Sequence, residues 1–219
     1  MEKHLYIISG LGADERVFRN LRFPEYRVHF LKWLVPEKGE TLENYARRMS
    51  DQIDSARPIL IGMSFGGIMA AEIARHIEVR RIILISSVKE RRELPPLFRF
   101  VGKFGIHRLI PVRLFTWSNP LTNWLFGTQG REEERLLAAV MKDTHLGYLK
   151  WAIDKILLWK NETRASHLTH IHGTADRLLP FRYITDAIAV KGGGHLMILN
   201  KAEEVGRMIN ELLVEESSR

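Results

Sequence analysis

Pro58-Ile59-Leu60-Ile61-Gly62-Met63-Ser64-Phe65-Gly66-Gly67 is the stretch whose reading decides the fold. Its first four residues form a short continuous apolar run, the pattern of a strand buried on both faces of a parallel sheet. The residues that follow, Phe65 to His76, read as a helix carrying Ile68, Met69, Ala71 and Ile73. Between the two stands Gly62-Met63-Ser64-Phe65-Gly66, a G-x-S-x-G sequence on a strand-to-helix turn. Glycine at 62 and 66 leaves room for a tight backbone where a Cβ would collide. Such a turn lifts the Ser64 hydroxyl out of the sheet and aims the N–H groups after it at whatever binds there.

A serine hydroxyl is a weak nucleophile near neutral pH and needs a base, which in turn needs an orienting partner. Candidates for both follow in the chain. Asp176 lies in Leu168-Thr169-His170-Ile171-His172-Gly173-Thr174-Ala175-Asp176, a strand and a glycine turn with an acidic residue beyond it. His195 ends Ala187-Ile188-Ala189-Val190-Lys191-Gly192-Gly193-Gly194-His195, again a strand followed by a glycine loop. Each of the three residues stands just past a strand, in the order Ser, Asp, His. The expected catalytic set is therefore Ser64, Asp176 and His195.

With these residues in view, the chain resembles the serine esterases of the α/β-hydrolase superfamily, over most of its length. The resemblance implies an α/β fold: a mostly parallel sheet of about six strands flanked by helices, trimmed at its edge, with an inserted helical cap. It implies an oxyanion hole formed by the backbone amides of Leu11 and Phe65. Leu11 stands in Ile7-Ile8-Ser9-Gly10-Leu11-Gly12, where many members carry His-Gly in place of Ser9-Gly10. It implies the cleavage of a carboxylic ester or thioester through an acyl-enzyme, with no cofactor. A non-hydrolytic reaction on the same fold (a lyase or a cofactor-free peroxidase) and a non-catalytic binder are the other readings. A pure binder has no reason to keep a complete triad.

The expected strands are 4–9, 27–33, 58–62, 81–86, 168–172 and 187–191, with helices near 14–21, 41–55, 65–77 and 201–214. Asp14 and Thr41 are natural N-caps for two of them. Strand–helix alternation implies a parallel sheet covered on both faces. Only 18 residues separate Asp176 from His195, room for about one helical turn. Residues 89–164 contain no buried-strand pattern and read as helices, in the place where the resemblance puts a cap. The core is expected at 1–88 and 165–219. The expected cap is rich in large aromatic side chains, and a small insertion cannot bury them all on itself. Phe104, Trp117 and Trp124 from the cap, with Trp33 and Met63 from the sheet edge, are therefore candidates for an apolar substrate pocket.

The chain has 219 residues, a formal net charge of +7 and no cysteine. Disulfides, thiolate chemistry and cysteine-ligated metals are excluded. No apolar run is long enough to span a membrane. The apolar run at Leu5-Tyr6-Ile7-Ile8 is too short for a signal-peptide core, so the expected location is the cytoplasm. From Lys89 to Thr128 there are seven basic residues against two acidic ones, a local balance of +5. That charge reads either as a solvated helix face or as attraction to an anionic partner: a carboxylate- or phosphate-bearing or carrier-bound acyl substrate, an acidic carrier protein, or a lipid surface. No nucleic-acid motif accompanies it. His167, His170 and His172 have no assignable carboxylate beside them, so no metal site is expected; the oligomeric state stays open.

Overall fold

The apolar runs become six strands: β1 Lys3–Ile8, β2 Tyr26–Phe30, β3 Ile59–Met63, β4 Arg81–Ile85, β5 Leu168–Gly173 and β6 Ile188–Val190. They form one sheet in the order β2-β1-β3-β4-β5-β6, and every neighbouring pair is parallel. The computed structural model describes residues 3–116, 118–162, 165 and 167–217.

Alternation along the strands divides the core into two layers. Leu5, Ile7, Ile59, Ile61, Ile83 and Ile85 face one side, against Val205, Ile209 and Leu213 of the last helix. Tyr6, Ile8, Leu60, Ile82 and Leu84 face the other, against Tyr45, Met49, Ile68 and Met69. The helices of this second side are α1 Leu42–Ser50 and α2 Phe65–Ile73. Every residue of α2 is buried, as expected of a helix apolar all round. Its one acidic residue, Glu72, accepts a hydrogen bond from Trp159 Nε1 at 2.7 Å.

Between β4 and β5 the described residues contain helices and 3-10 turns and no strand: α3 Pro96–Lys103, α4 Pro120–Phe126, α5 Arg131–Asp143 and α6 Leu146–Leu158. Asn119 caps α4 by accepting from the amides of Leu121 and Thr122, and Pro120 at the first helical position needs no acceptor. The chain ends in α7 Met197–Asn200 and α8 Ala202–Ser217. No helix among the described residues is long and apolar enough to cross a membrane.

Some elements are shorter than their sequence pattern. Asp14 and Thr41 do accept from the amides of Arg16 and Asn44. The first expected helix, however, is a single 3-10 turn, Glu15–Phe18. The Arg22 guanidinium takes the carbonyls of Arg19 and Leu21, which would otherwise carry the helix onward. The helix expected over 41–55 ends at Ser50, where Asp51, Gln52 and Ile53 donate three residues back rather than four. Gln52 then bridges both backbone groups of Lys32. The strand expected to reach residue 33 stops at Phe30 because Trp33 leaves the sheet and donates to Ser9 Oγ at 3.0 Å.

Candidate active site

In the strand order, β1 lies between β2 and β3, so the chain leaves β1 toward one edge and returns toward the other. Ligands of open α/β sheets bind outside the carboxyl ends of the strands at such a point. The loops that leave β1, β3, β5 and β6 at this edge carry Ser9 to Gly12, Ser64, Asp176 and His195.

Ser64 adopts φ 52° and ψ −120°, a conformation that costs a residue with a Cβ about 1–3 kcal/mol. Its surroundings hold it there. Its amide donates to Ile85 O at 2.9 Å and its carbonyl accepts from Gly67 N at 3.0 Å. The same carbonyl accepts from Ser87 Oγ at 2.6 Å. A Cβ on Gly66 would strike the carbonyls of Ile8 and Ser9, and one on Gly62 would strike the backbone of Gly66. The two glycines thus bring β1, β3 and α2 into contact beneath the turn.

The three residues expected as a catalytic set meet. His195 Nε2 lies 3.0 Å from Ser64 Oγ, and His195 Nδ1 lies 2.8 Å from Asp176 Oδ2. A carboxylate only accepts, so Nδ1 carries the proton and Nε2 is left as acceptor for the serine hydroxyl. Asp176 is held by its other oxygen, which accepts from the amides of Leu178 at 2.9 Å and Leu179 at 2.8 Å. Burial alone would raise the Asp176 pKa. The electrostatic pull and hydrogen bond of the His195 Nδ1–H, with His172 and the Leu179 amide, outweigh it and hold the carboxyl below its ordinary range.

Two further histidines stand behind Asp176. His172 Nε2 is 2.8 Å from Leu179 O and 3.4 Å from Asp176 Oδ2. Both partners are acceptors, so Nε2 carries a proton. Neutral His172 then offers Nδ1 to His170 Nε2–H at 3.1 Å. That leaves His170 Nδ1 buried without a partner among the described residues. Burial pushes His170 well below the ordinary imidazole range, and the neighbouring His172 and Lys89 add to the shift.

Phe65 is the first residue of α2, so its amide has no intrahelical acceptor. Among the described residues the Leu11 amide has no acceptor either, and Gly10 places its Cα side against Ser64. Ser9 Oγ donates to Ala13 O at 2.6 Å, closing the loop that carries Leu11.

The residues considered for a substrate pocket are placed apart. Trp33 stacks on Phe65 with centroids 5.1 Å apart and meets Tyr148 at 5.4 Å. It lines a cavity of about 210 Å³ with Gly12, Thr144, His145 and Tyr148. Met63 is buried in the core beneath α7 and α8. Phe104 and Trp124 are more than half exposed, and Arg177 covers the Trp124 ring at 4.7 Å. Trp117 lies outside the described residues. A larger cavity, about 340 Å³, lies among α6 and the 3-10 turns before α4 and is lined by His107, Phe115, Lys150 and Trp151. Neither cavity is lined by Ser64 or His195.

The sequence marks Phe126 and Tyr148 only as two of the many aromatic residues of the expected cap, with no place at the site, and does not mark Ser87. The Phe126 ring stands edge-on to His195 at 5.4 Å, and its carbonyl accepts from the Leu196 amide at 3.0 Å. Gly127, next to it, packs against Gly194 so closely that a Cβ would reach the Gly194 Cα at 3.1 Å. Charge also redistributes. Lys89 and Glu93 are buried, with Nζ and Oε1 3.5 Å apart, and Arg91 donates to Trp159 O at 2.7 Å. These groups are structural and do not belong to a solvated basic face.

A family described as "Alpha/beta hydrolase family" matches residues 8–207. Among solved structures, a thermophilic esterase from Thermogutta terrifontis is 17% identical with TM-score 0.71, covering 99% of this chain and 91% of its own. Rv0554 from Mycobacterium tuberculosis is 15% identical with TM-score 0.71, covering 98% and 91%. A bromoperoxidase from Bacillus anthracis is 15% identical with TM-score 0.64, covering 97% and 92%. No curated protein matches the chain in sequence.

Proposed function

The chain belongs to the alpha/beta hydrolase family, and from that premise we propose that it is a serine hydrolase acting on a carboxylic ester or thioester. The observation that carries the reading is the hydrogen-bonded chain from Ser64 Oγ through His195 to Asp176. In this reading Ser64 Oγ bonds to the acyl carbon as its proton passes to His195 Nε2. The carbonyl π electrons move to oxygen, and the amides of Leu11 and Phe65 stabilise that oxyanion. The bond to the leaving alkoxide or thiolate then breaks, and His195 Nε2 returns the proton to it. Water repeats the sequence on the acyl-enzyme, releasing the acid and restoring Ser64. Asp176 holds the imidazole in the required tautomer throughout.

The helical stretch from residue 89 to 164 acts in this proposal as a cap. Its support is the Phe126 ring on His195 and the tie from Trp159 to Glu72. The test is a panel of p-nitrophenyl esters and acyl thioesters of graded length, run on wild type and Ser64→Ala. Turnover that vanishes in the variant supports the reading. A silent panel turns attention to a lyase or a cofactor-free peroxidase using the same groups; unchanged turnover in Ser64→Ala excludes Ser64 as nucleophile.

A further inference from the structure

Among the described residues, ten of the fourteen exposed large apolar side chains fall between Leu97 and Trp124. A protein surface rarely concentrates them in this way without a partner. The clearest case is α3. Its inner side is Phe98, packed against the core around Trp159, and Gly102, set so tightly on α6 that a Cβ would strike the Leu157 carbonyl. Its outer side is Leu97, Phe100 and Phe104, 66%, 54% and 61% exposed. These positions are three and four residues apart and share a face, and the Phe100 and Phe104 rings are in contact, 4.7 Å between centroids. A helix that docks through glycine and turns its phenylalanines to solvent presents an apolar face outward. Leu109, 85% exposed, and Leu114, 56% exposed, continue the surface through the 3-10 turns that follow.

The same stretch has one sign of charge. No residue from Leu94 to Gly130 is acidic, while Arg99, Lys103, Arg108 and Arg113 are basic. Arg108 is paired with Asp154 from α6. Lys103 lies over the Phe104 ring at 5.6 Å, and neither Lys103 nor Arg113 makes an ion pair among the described residues. A second copy of a chain with net charge +7 would bring like charges to this face. Protruding Leu and Phe side chains interleaved with Lys and Arg fit the boundary between anionic headgroups and acyl chains. We propose that α3 and the two 3-10 turns after it form a docking surface for an anionic lipid surface, seating the protein at the membrane interface without crossing it.

The test is co-sedimentation with vesicles of phosphatidylcholine alone and of phosphatidylcholine with phosphatidylglycerol. It reads binding and does not depend on hydrolysis. Wild type should sediment with the anionic vesicles, much less with neutral ones, and be released by salt. Lys103→Glu with Arg113→Glu should weaken partitioning by about 30-fold or more, at about 1 kcal/mol for each cation lost. Phe100→Ser with Leu109→Ser should weaken it on the same vesicles, while Arg207→Glu, on α8 at the opposite side of the sheet, should change it only a few-fold. Circular dichroism melts establish that each variant is folded. Wild type that stays in the supernatant overturns the proposal, as does a remote reversal that weakens binding as much as the local ones. A wild-type dimer on size exclusion that Phe100→Ser with Leu109→Ser dissolves would assign the face to a second copy and overturn it too.

Discussion

Ser64 sits at φ 52° because Ser87, Gly67 and Ile85 hold its backbone. Positive φ at this position disfavours any residue with a Cβ, so the turn carries a local cost that the fold sustains. Ser64→Gly and Ser64→Ala both remove the hydroxyl, yet only glycine relieves the backbone. The glycine variant should be more stable than the alanine variant by about 1 kcal/mol, measured by denaturant unfolding; equal stability would mean the turn is unstrained. In ester turnover Ser64→Ala and His195→Ala should each lose several orders of magnitude, on the order of 10⁶-fold at most, because nucleophile and base act as a unit. Asp176→Asn should leave more residual rate, since it disturbs orientation and leaves the attacking atom in place. Losses that differ widely between the serine and histidine variants would break the assignment of one shared machine.

The elements that place these residues were legible in the sequence for a physical reason. Parallel strands buried on both faces must be continuous apolar runs, so β1, β3 and β4 announced themselves. The turns at Ser64 and His195 were marked by glycines that close packing demands. Asp176 and His195 each followed a strand and a glycine turn, so their meeting could be read from order alone. The contacts of Phe126 and Lys89 could not be read this way, because both depend on how segments distant in sequence are laid together. Nothing local in Lys89-Glu90-Arg91-Arg92-Glu93 separates a solvated charge run from the buried pair that forms. That pair ties the chain after β4 to the loop before β6: Lys89 Nζ donates to Thr185 O, and Glu93 accepts from the Thr185 amide and hydroxyl. Removing one partner leaves the other charge buried, so Lys89→Met should lower unfolding free energy by about 3–5 kcal/mol. A loss below 1 kcal/mol would mean that water reaches Glu93 and the tie is weak.

Across the whole molecule, the layered sheet sets how stability responds to acid. His170 and His172 point from β5 into the packed side of the sheet and are both buried. Burial holds His170 well below the ordinary value of 6.5. It lowers His172 as well, although Asp176 and the Leu179 carbonyl pull the other way. At pH 6.5 both are therefore mostly neutral in the folded chain, where their unfolded counterparts are half protonated. Below pH 6.5 the unfolded state binds more protons than the folded state, and stability must fall as the pH falls. The slope fades over about one pH unit above that value, as the unfolded imidazoles lose their protons. Asp176 acts in the same direction but lower, because its folded pKa lies below the ordinary 3.8 and its contribution is lost only as the pH falls past that range. Denaturant unfolding at a series of pH values should give stability that is level above about pH 7.5 as far as these two groups determine it. It should then decline through pH 6.5 and below, by up to about 1.4 kcal/mol per pH unit for each proton. His170→Gln with His172→Gln removes both protonation sites. Whatever it does to stability at neutral pH, it should flatten the slope from pH 6.5 down to the carboxylate range. An unchanged slope in that window would show that the acid response comes from other histidines and that the pair behind Asp176 is solvated enough to protonate in place.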